Sequence, residues 1–131
     1  MLDLNMKILL VDDSKLIRAI LKDVLGKLGF KNIHEAQNGR VGLEKLKEEG
    51  KFDFVFSDWM MPGMDGLTFL KAVRADEKLK NIMFVMLSAE SINDKVDEAT
   101  KHGADAYITK PFKPEKIEEE IENILKRRSE K

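Results

Sequence analysis

Ile8-Leu9-Leu10-Val11-Asp12-Asp13 sets an unbroken apolar run directly against two carboxylates. The run is too short for a helix of ordinary length, and it has no polar alternation. It therefore reads as a strand covered on both faces, the kind found inside parallel sheets. Upstream, Met1 to Lys7 mixes charges with apolar residues, and the run that stops at Val11 is too short to be expected to act as a signal peptide or a membrane span. Downstream, apolar residues fall at positions 16, 17, 20, 21, 24, 25 and 28, the wide stripe of an amphipathic helix, and Gly29 stands where such a helix stops.

Strand followed by helix then recurs along the chain. A weak strand at Asn32 to Ala36 leads to a helix opened by Asn38-Gly39 and running through Glu49. Phe54-Val55-Phe56 forms the next strand, with Asp58 just beyond it, and a helix around Leu67, Leu70 and Val73 follows. Ile82-Met83-Phe84-Val85-Met86-Leu87 is the strongest strand; Ile92, Val96 and Ala99 share one side of the helix after it, and Gly103 ends that helix. Ala106 to Thr109 is the last strand, and after Pro111 comes a helix with Ile117, Ile121 and Ile124 on one face. Five strands and five helices in strict alternation imply an α/β fold: a parallel sheet with right-handed crossovers, wound on both faces by helices. No linker, internal repeat or low-complexity segment divides residues 1–131, which are expected to form one domain. The Glu118-Glu119-Glu120 and Lys126-Arg127-Arg128 runs suit a solvated terminal helix with cations near its C-terminus.

Composition narrows the function. In a chain of 131 residues, 23 Lys and Arg balance 24 Asp and Glu to a net charge of -1, which gives no electrostatic case for nucleic acid or an anionic membrane as partner. The absence of cysteine rules out a disulfide framework and a thiolate metal site, and suits a cytoplasmic protein. His34 and His102 stand at no metal-ligand spacing and read as ordinary surface or boundary residues.

Ligands of open parallel sheets bind beyond the carboxyl ends of the strands. The residues just past each buried run are Asp12 and Asp13, Asp58, Ser88 and Lys110. Each has an ordinary use when taken alone. Asp13 or Ser14 can cap the first helix, Ser88 can cap the fourth, Asp58 can be a loop residue, and Lys110 can be a surface lysine. Their joint placement at four strand ends is what speaks for a site. Crowded carboxylates raise one another's pKa unless cations neutralise them, and oxygen ligands favour a hard divalent ion such as Mg2+. A carboxylate, a metal ion, an ammonium and a hydroxyl at one point are the parts needed to attack phosphorus, neutralise its equatorial oxygens and hold the product. The set points to phosphoryl transfer to Asp58.

These residues, with Ser57-Asp58-Trp59-Met60-Met61-Pro62-Gly63-Met64-Asp65-Gly66, Ser88-Ala89 and Lys110-Pro111-Phe112, resemble the response-regulator receiver domain of two-component signalling over essentially the whole chain. Within that family the pattern looks most like the stand-alone, CheY-like chemotaxis regulators, through Trp59, Glu90 and Tyr107. The resemblance implies a flavodoxin-like sheet of order 2-1-3-4-5 and no output domain. It implies that Asp58 takes a phosphoryl group from a CheA-like histidine kinase. Asp13, Asp58 and the backbone carbonyl of Met60 would ligate Mg2+, and Asp12 would act mainly through water. Ser88 and Lys110 would bind phosphoryl oxygens. Ser88 and Tyr107 would form the switch, changing the surface offered to a target such as a flagellar motor switch protein. The Lys110-Pro111 bond would be cis, and the protein a cytoplasmic monomer that turns over no external substrate.

Position 60 departs from the pattern, since chemotaxis regulators often carry Asn there and this chain has Met. Metal ligation through the carbonyl should survive, but a thioether cannot donate a hydrogen bond to water or to a phosphoryl oxygen. Met60, Met61 and Met64 otherwise read as adaptable apolar filler, and Tyr107 can alternatively be plain packing. A phosphatase of the haloacid-dehalogenase type would want a second Asp two residues after its nucleophile. Met60, Lys15 and Ser14 occupy those places after Asp58, Asp13 and Asp12. No phosphate-cradling Gly-rich loop follows the first strand, which disfavours a nucleotide-binding domain. A relay receiver that hands phosphate to a histidine phosphotransfer protein stays open beside the chemotaxis reading.

Overall fold

Short apolar runs dictate the centre of the molecule. In the computed structural model, which describes residues 3–89 and 93–130, they form strands β1 (Ile8–Val11), β2 (Ile33–Ala36), β3 (Phe54–Asp58), β4 (Met83–Ser88) and β5 (Ala106–Thr109). Helices α1 (Lys15–Lys27), α2 (Gly39–Glu49), α3 (Gly66–Ala75), α4 (Asn93–Lys101) and α5 (Pro114–Ser129) alternate with them. All ladders are parallel, and the sheet order is β2-β1-β3-β4-β5, as the resemblance implied.

Strand side chains point alternately to the two faces, so unbroken apolar runs supply two cores. Ile8, Leu10, Phe54, Phe56, Val85, Leu87 and Ile108 meet Leu21, Val24 and Leu25 of α1 and Ile117, Ile121 and Ile124 of α5. Leu9, Val11, Val55, Phe84 and Met86 face the other way, toward Leu46 of α2, Phe69, Leu70 and Val73 of α3, and Ala99 of α4. Each such side chain taken fully out of water contributes about 1.5–3 kcal/mol, and the central strands lie wholly inside.

Side-chain caps fix where three helices begin. Ser14, Asn38 and Asp65 accept from the backbone N–H groups of Ile17, Val41 and Thr68, at 3.2, 2.8 and 2.8 Å. Ser14, not Asp13, caps α1, which leaves the Asp13 carboxylate for the sheet edge. Three strand readings shift by a residue or two: β2 starts at Ile33, β3 runs on to include Asp58, and β4 starts at Met83 and runs on to include Ser88. The α1 stripe is narrower than its sequence pattern. Ile17, Leu21, Val24, Leu25 and Leu28 turn inward, whereas Leu16 and Ile20 remain exposed, because at 3.6 residues per turn they lie outside the arc facing the sheet. Ile92 and Glu90 lie outside the described residues.

Candidate phosphoryl-transfer site

Strand register brings the sequence-picked residues to one edge. Val11 pairs with Ser57, Asp58 with Leu87, and Ser88 with Thr109, so β1, β3, β4 and β5 end side by side. Backbone bonds carry the alignment past the strands: Asp12 N–H donates to Ala36 O at 3.2 Å, Trp59 N–H to Leu87 O at 2.9 Å, and Lys110 N–H to Ser88 O at 2.7 Å. Asp12, Asp13, Asp58, Ser88 and Lys110 therefore converge although nearly a hundred residues separate the first from the last.

Each of the three aspartates offers one carboxylate oxygen to a cluster in which these atoms lie within 4.8 Å of one another. Asp12 and Asp58 are buried, and Asp13 is exposed at the opening. The Lys110 ammonium bridges the buried pair, 3.1 Å from Asp58 Oδ1 and 3.3 Å from Asp12 Oδ2. Burial raises the Asp58 carboxyl above its ordinary range, and the charge of Asp12 pushes it further. Lys110 pulls it back by charge and hydrogen bond, while Asp13 adds an upward push. One ammonium against three carboxylates leaves the edge short of positive charge. An all-oxygen set with an open, exposed member fits a hard, partly hydrated divalent cation, so the residues present suit Mg2+. Ser88 is buried at the end of β4, beside the strand that carries Asp58. The peptide bond between Lys110 and Pro111 is cis.

A model of the response regulator receiver domain matches residues 8–122 of the chain. The chain belongs to the receiver-domain family. Chemotaxis protein CheY-3 of Vibrio cholerae is 45% identical over 126 residues, covering 96% of each chain. Chemotaxis protein CheY of Pseudomonas aeruginosa is 46% identical over 122 residues, covering 93% of this chain and 98% of its own. Among solved structures, V. cholerae CheY4 superimposes with a TM-score of 0.84 at 34% identity, over 92% of this chain and 98% of that one. A receiver domain protein from Clostridium thermocellum gives 0.84 at 26% identity, over 95% and 97%. This receiver is thus a CheY-like signalling protein in sequence and in fold.

Around the receiver's acidic edge, Trp59 is buried and meets Tyr107 edge-on, with ring centroids 6.3 Å apart at 64°. The Tyr107 ring is partly buried against the core on the α2–α4 side. Met61 is buried and Met64 packs against the core, as filler residues should, but Met60 is 64% exposed. His34 shares a hydrogen bond with Asn32 Oδ1 at 2.8 Å and packs edge-on to Phe52, so it is a boundary residue of β2. Among the described residues no helix is long and apolar enough to cross a membrane.

Sequence reading missed three groups of side chains. The Lys95 ammonium lies over the Trp59 ring, 4.9 Å from its centroid. Arg18 donates to the backbone carbonyl of Asp12 and to Glu35. At the opposite end of the sheet, Asp105 accepts from both Arg74 and Arg128 at 2.9–3.2 Å, tying α3 and α5 to the start of β5. Charged residues on helices read as solvated faces, and nothing in their spacing reveals which of them turns back to a strand end.

Proposed function

We propose that this receiver is a response regulator of chemotaxis, phosphorylated on Asp58 in a Mg2+-dependent reaction by a histidine kinase of the CheA type. The observation that carries the proposal is the gathering of Asp12, Asp13 and Asp58 within 4.8 Å under a single bridging ammonium. An Asp58 carboxylate oxygen forms the new O–P bond while the P–N bond of the donor's phosphohistidine breaks, its electron pair leaving with the imidazole, which takes up a proton. Asp13, Asp58 and the Met60 backbone carbonyl would hold Mg2+, with Asp12 acting through a bound water. When bound, the ion neutralises charge on the equatorial phosphoryl oxygens. Lys110 moves from bridging two carboxylates to meeting a phosphoryl oxygen, and the Ser88 hydroxyl donates to another.

Those shifts make the switch. Drawing Ser88 and Lys110 toward the phosphoryl group reshapes the ends of β4 and β5, and the Tyr107 ring, already against Trp59, turns further inward. The face formed by α4, β5 and α5 then presents a different surface to a target such as a flagellar motor switch protein. The receiver works as a monomer in the cytoplasm and catalyses only its own phosphorylation and dephosphorylation. Incubation with a CheA-type kinase labelled on its phosphohistidine tests this directly: label should move to the receiver and not to Asp58→Ala. A motor switch peptide should bind only with beryllofluoride and Mg2+ present. Rapid return of label from the receiver to a histidine phosphotransfer protein, without peptide binding, would favour the relay-carrier reading.

A further inference from the structure

We propose that Arg18 of α1, steadied by Glu35 of β2, is a positioning residue for the acidic edge, acting through the backbone carbonyl of Asp12. The inference rests on the receiver reading above, and concerns how the cation site is held in shape.

Asp12 is pinned at every polar group. Its N–H donates to Ala36 O, Oδ1 accepts from Ser14 N–H at 2.8 Å, Oδ2 meets Lys110 at 3.3 Å, and its carbonyl accepts from Arg18 Nη1. The last of these bonds reaches beyond Asp12 itself. The carbonyl belongs to the planar peptide unit that includes the Asp13 nitrogen and ends at the Asp13 Cα. A donor that fixes the carbonyl fixes that plane, and so fixes where the Asp13 backbone departs. Asp13 is the exposed member of the three-carboxylate cluster and the one least held by packing. Its aim is therefore set by backbone, and Arg18 holds that backbone.

The guanidinium suits this role because its planar fork offers donors in fixed directions. One prong goes to Asp12 O and another, Nε, to Glu35 Oε1 at 3.0 Å. The Arg18 side chain is 14% exposed, so the fork is largely shielded from competing water. Glu35 is itself framed: Lys45 donates to its backbone carbonyl at 2.7 Å, and Lys22 stands 3.7 Å from Oε2. Leu10 of β1 pairs with Glu35, so the anchor is in register with the strand whose end it steadies.

Two effects of Arg18 on a bound cation oppose each other. Its positive charge repels a divalent ion, whereas its hold on the peptide plane keeps the carboxylates converged. Glu35 lies against the guanidinium, 3.0 Å from Nε, and offsets part of its charge, and positioning is the effect proposed to dominate. Outer partners of metal ligands typically change affinity by about 10–100-fold when removed.

The test is Mg2+ titration of the full chain, read by fluorescence of Trp59, the single tryptophan and the neighbour of Asp58. Thermal melts are run alongside, together with the Mg2+ concentration giving half-maximal phosphorylation by acetyl phosphate. Arg18→Gln should weaken Mg2+ binding about 10-fold or more, with the phosphorylation midpoint shifting in parallel and a cooperative melt retained. Arg18→Lys should fall between parent and Gln variant, because an ammonium can reach the carbonyl but cannot hold Glu35 in the same plane. Unchanged or tighter Mg2+ binding by Arg18→Gln overturns the proposal, tighter binding showing that charge had outweighed position. Should the Gln variant fail to fold, parent-level affinity in Arg18→Lys overturns it equally. A parent chain that binds no Mg2+ removes the receiver mechanism and this inference together, whereas binding that ignores Arg18 removes the inference alone.

Discussion

Replacing Gly66 by alanine puts the packing of the site to a severe test. Gly66 opens α3, and its N–H donates to Trp59 O at 2.8 Å, so the helix starts against the backbone of the acceptor strand. A Cβ built there would stand 2.3 Å from the Asp58 carbonyl oxygen, 2.8 Å from Trp59 Cα and 2.9 Å from Met86 Sδ. The Met86 thioether can yield, but the first two contacts are backbone. Restoring ordinary contact requires a shift of roughly 1 Å between α3 and the end of β3, and forced overpacking of this kind costs about 1–3 kcal/mol. The displaced atoms include the carbonyl of the proposed acceptor, and a misplacement of about 1 Å at a reacting group lowers a rate on the order of 100-fold. Urea denaturation and the rate of phosphorylation by acetyl phosphate with Mg2+ measure the two effects separately. A Gly66→Ala protein with parent stability and parent rate would refute the reasoning, since the two tightest contacts are backbone atoms that cannot swing aside for the methyl group.

Gly26 is the contrasting case: it lies within α1 with nothing near its would-be Cβ, so Gly26→Ala should raise stability by about 1 kcal/mol in the same urea experiment. The raised pKa of Asp58 gives a pH dependence of defined sign, because the folded state holds that proton more tightly than the unfolded chain does. Without Mg2+, its contribution to stability is full below the ordinary carboxyl range and is lost as pH rises through the shifted pKa. Melts at neutral pH should therefore show Asp58→Asn more stable than the parent, the advantage shrinking in acid. The exposed Met60 thioether offers no donor to a water or a phosphoryl oxygen. Met60→Asn should accordingly shorten the life of the aspartyl phosphate, followed by phosphate release after the donor is removed; equal or longer life in the variant would contradict this.

The fold was legible because local signals agree with one another. Ile8–Val11, Phe54–Phe56 and Met83–Leu87 are apolar without alternation, as strands covered on both faces must be, and Ser14, Asn38 and Asp65 cap the helices that follow. Asp12, Asp13, Asp58, Ser88 and Lys110 could be picked out because a parallel sheet aligns its strand ends, which turns positions far apart in sequence into neighbours. What stayed hidden depends on side-chain reach. Leu16 and Ile20 fit the helical stripe yet lie exposed, since the period fixes direction but not how wide an arc the sheet will cover. Arg18 and Arg74 look like solvated helix cations; each instead folds back onto backbone carbonyls, Asp12 O in one case and Gly103 O in the other. Burial lowers the pKa of Arg74, which Asp105 counteracts, and this pairing too spans 31 residues that no short motif links.

The central claim, that Asp58 accepts a phosphoryl group with the help of Mg2+, is tested most directly by intact mass after incubation with acetyl phosphate. Parent and Asp58→Ala are compared with and without the metal. One added phosphoryl group, requiring both Asp58 and Mg2+, is the predicted result. An adduct that survives in Asp58→Ala, or none in the parent together with failure to bind beryllofluoride and Mg2+, would contradict the account.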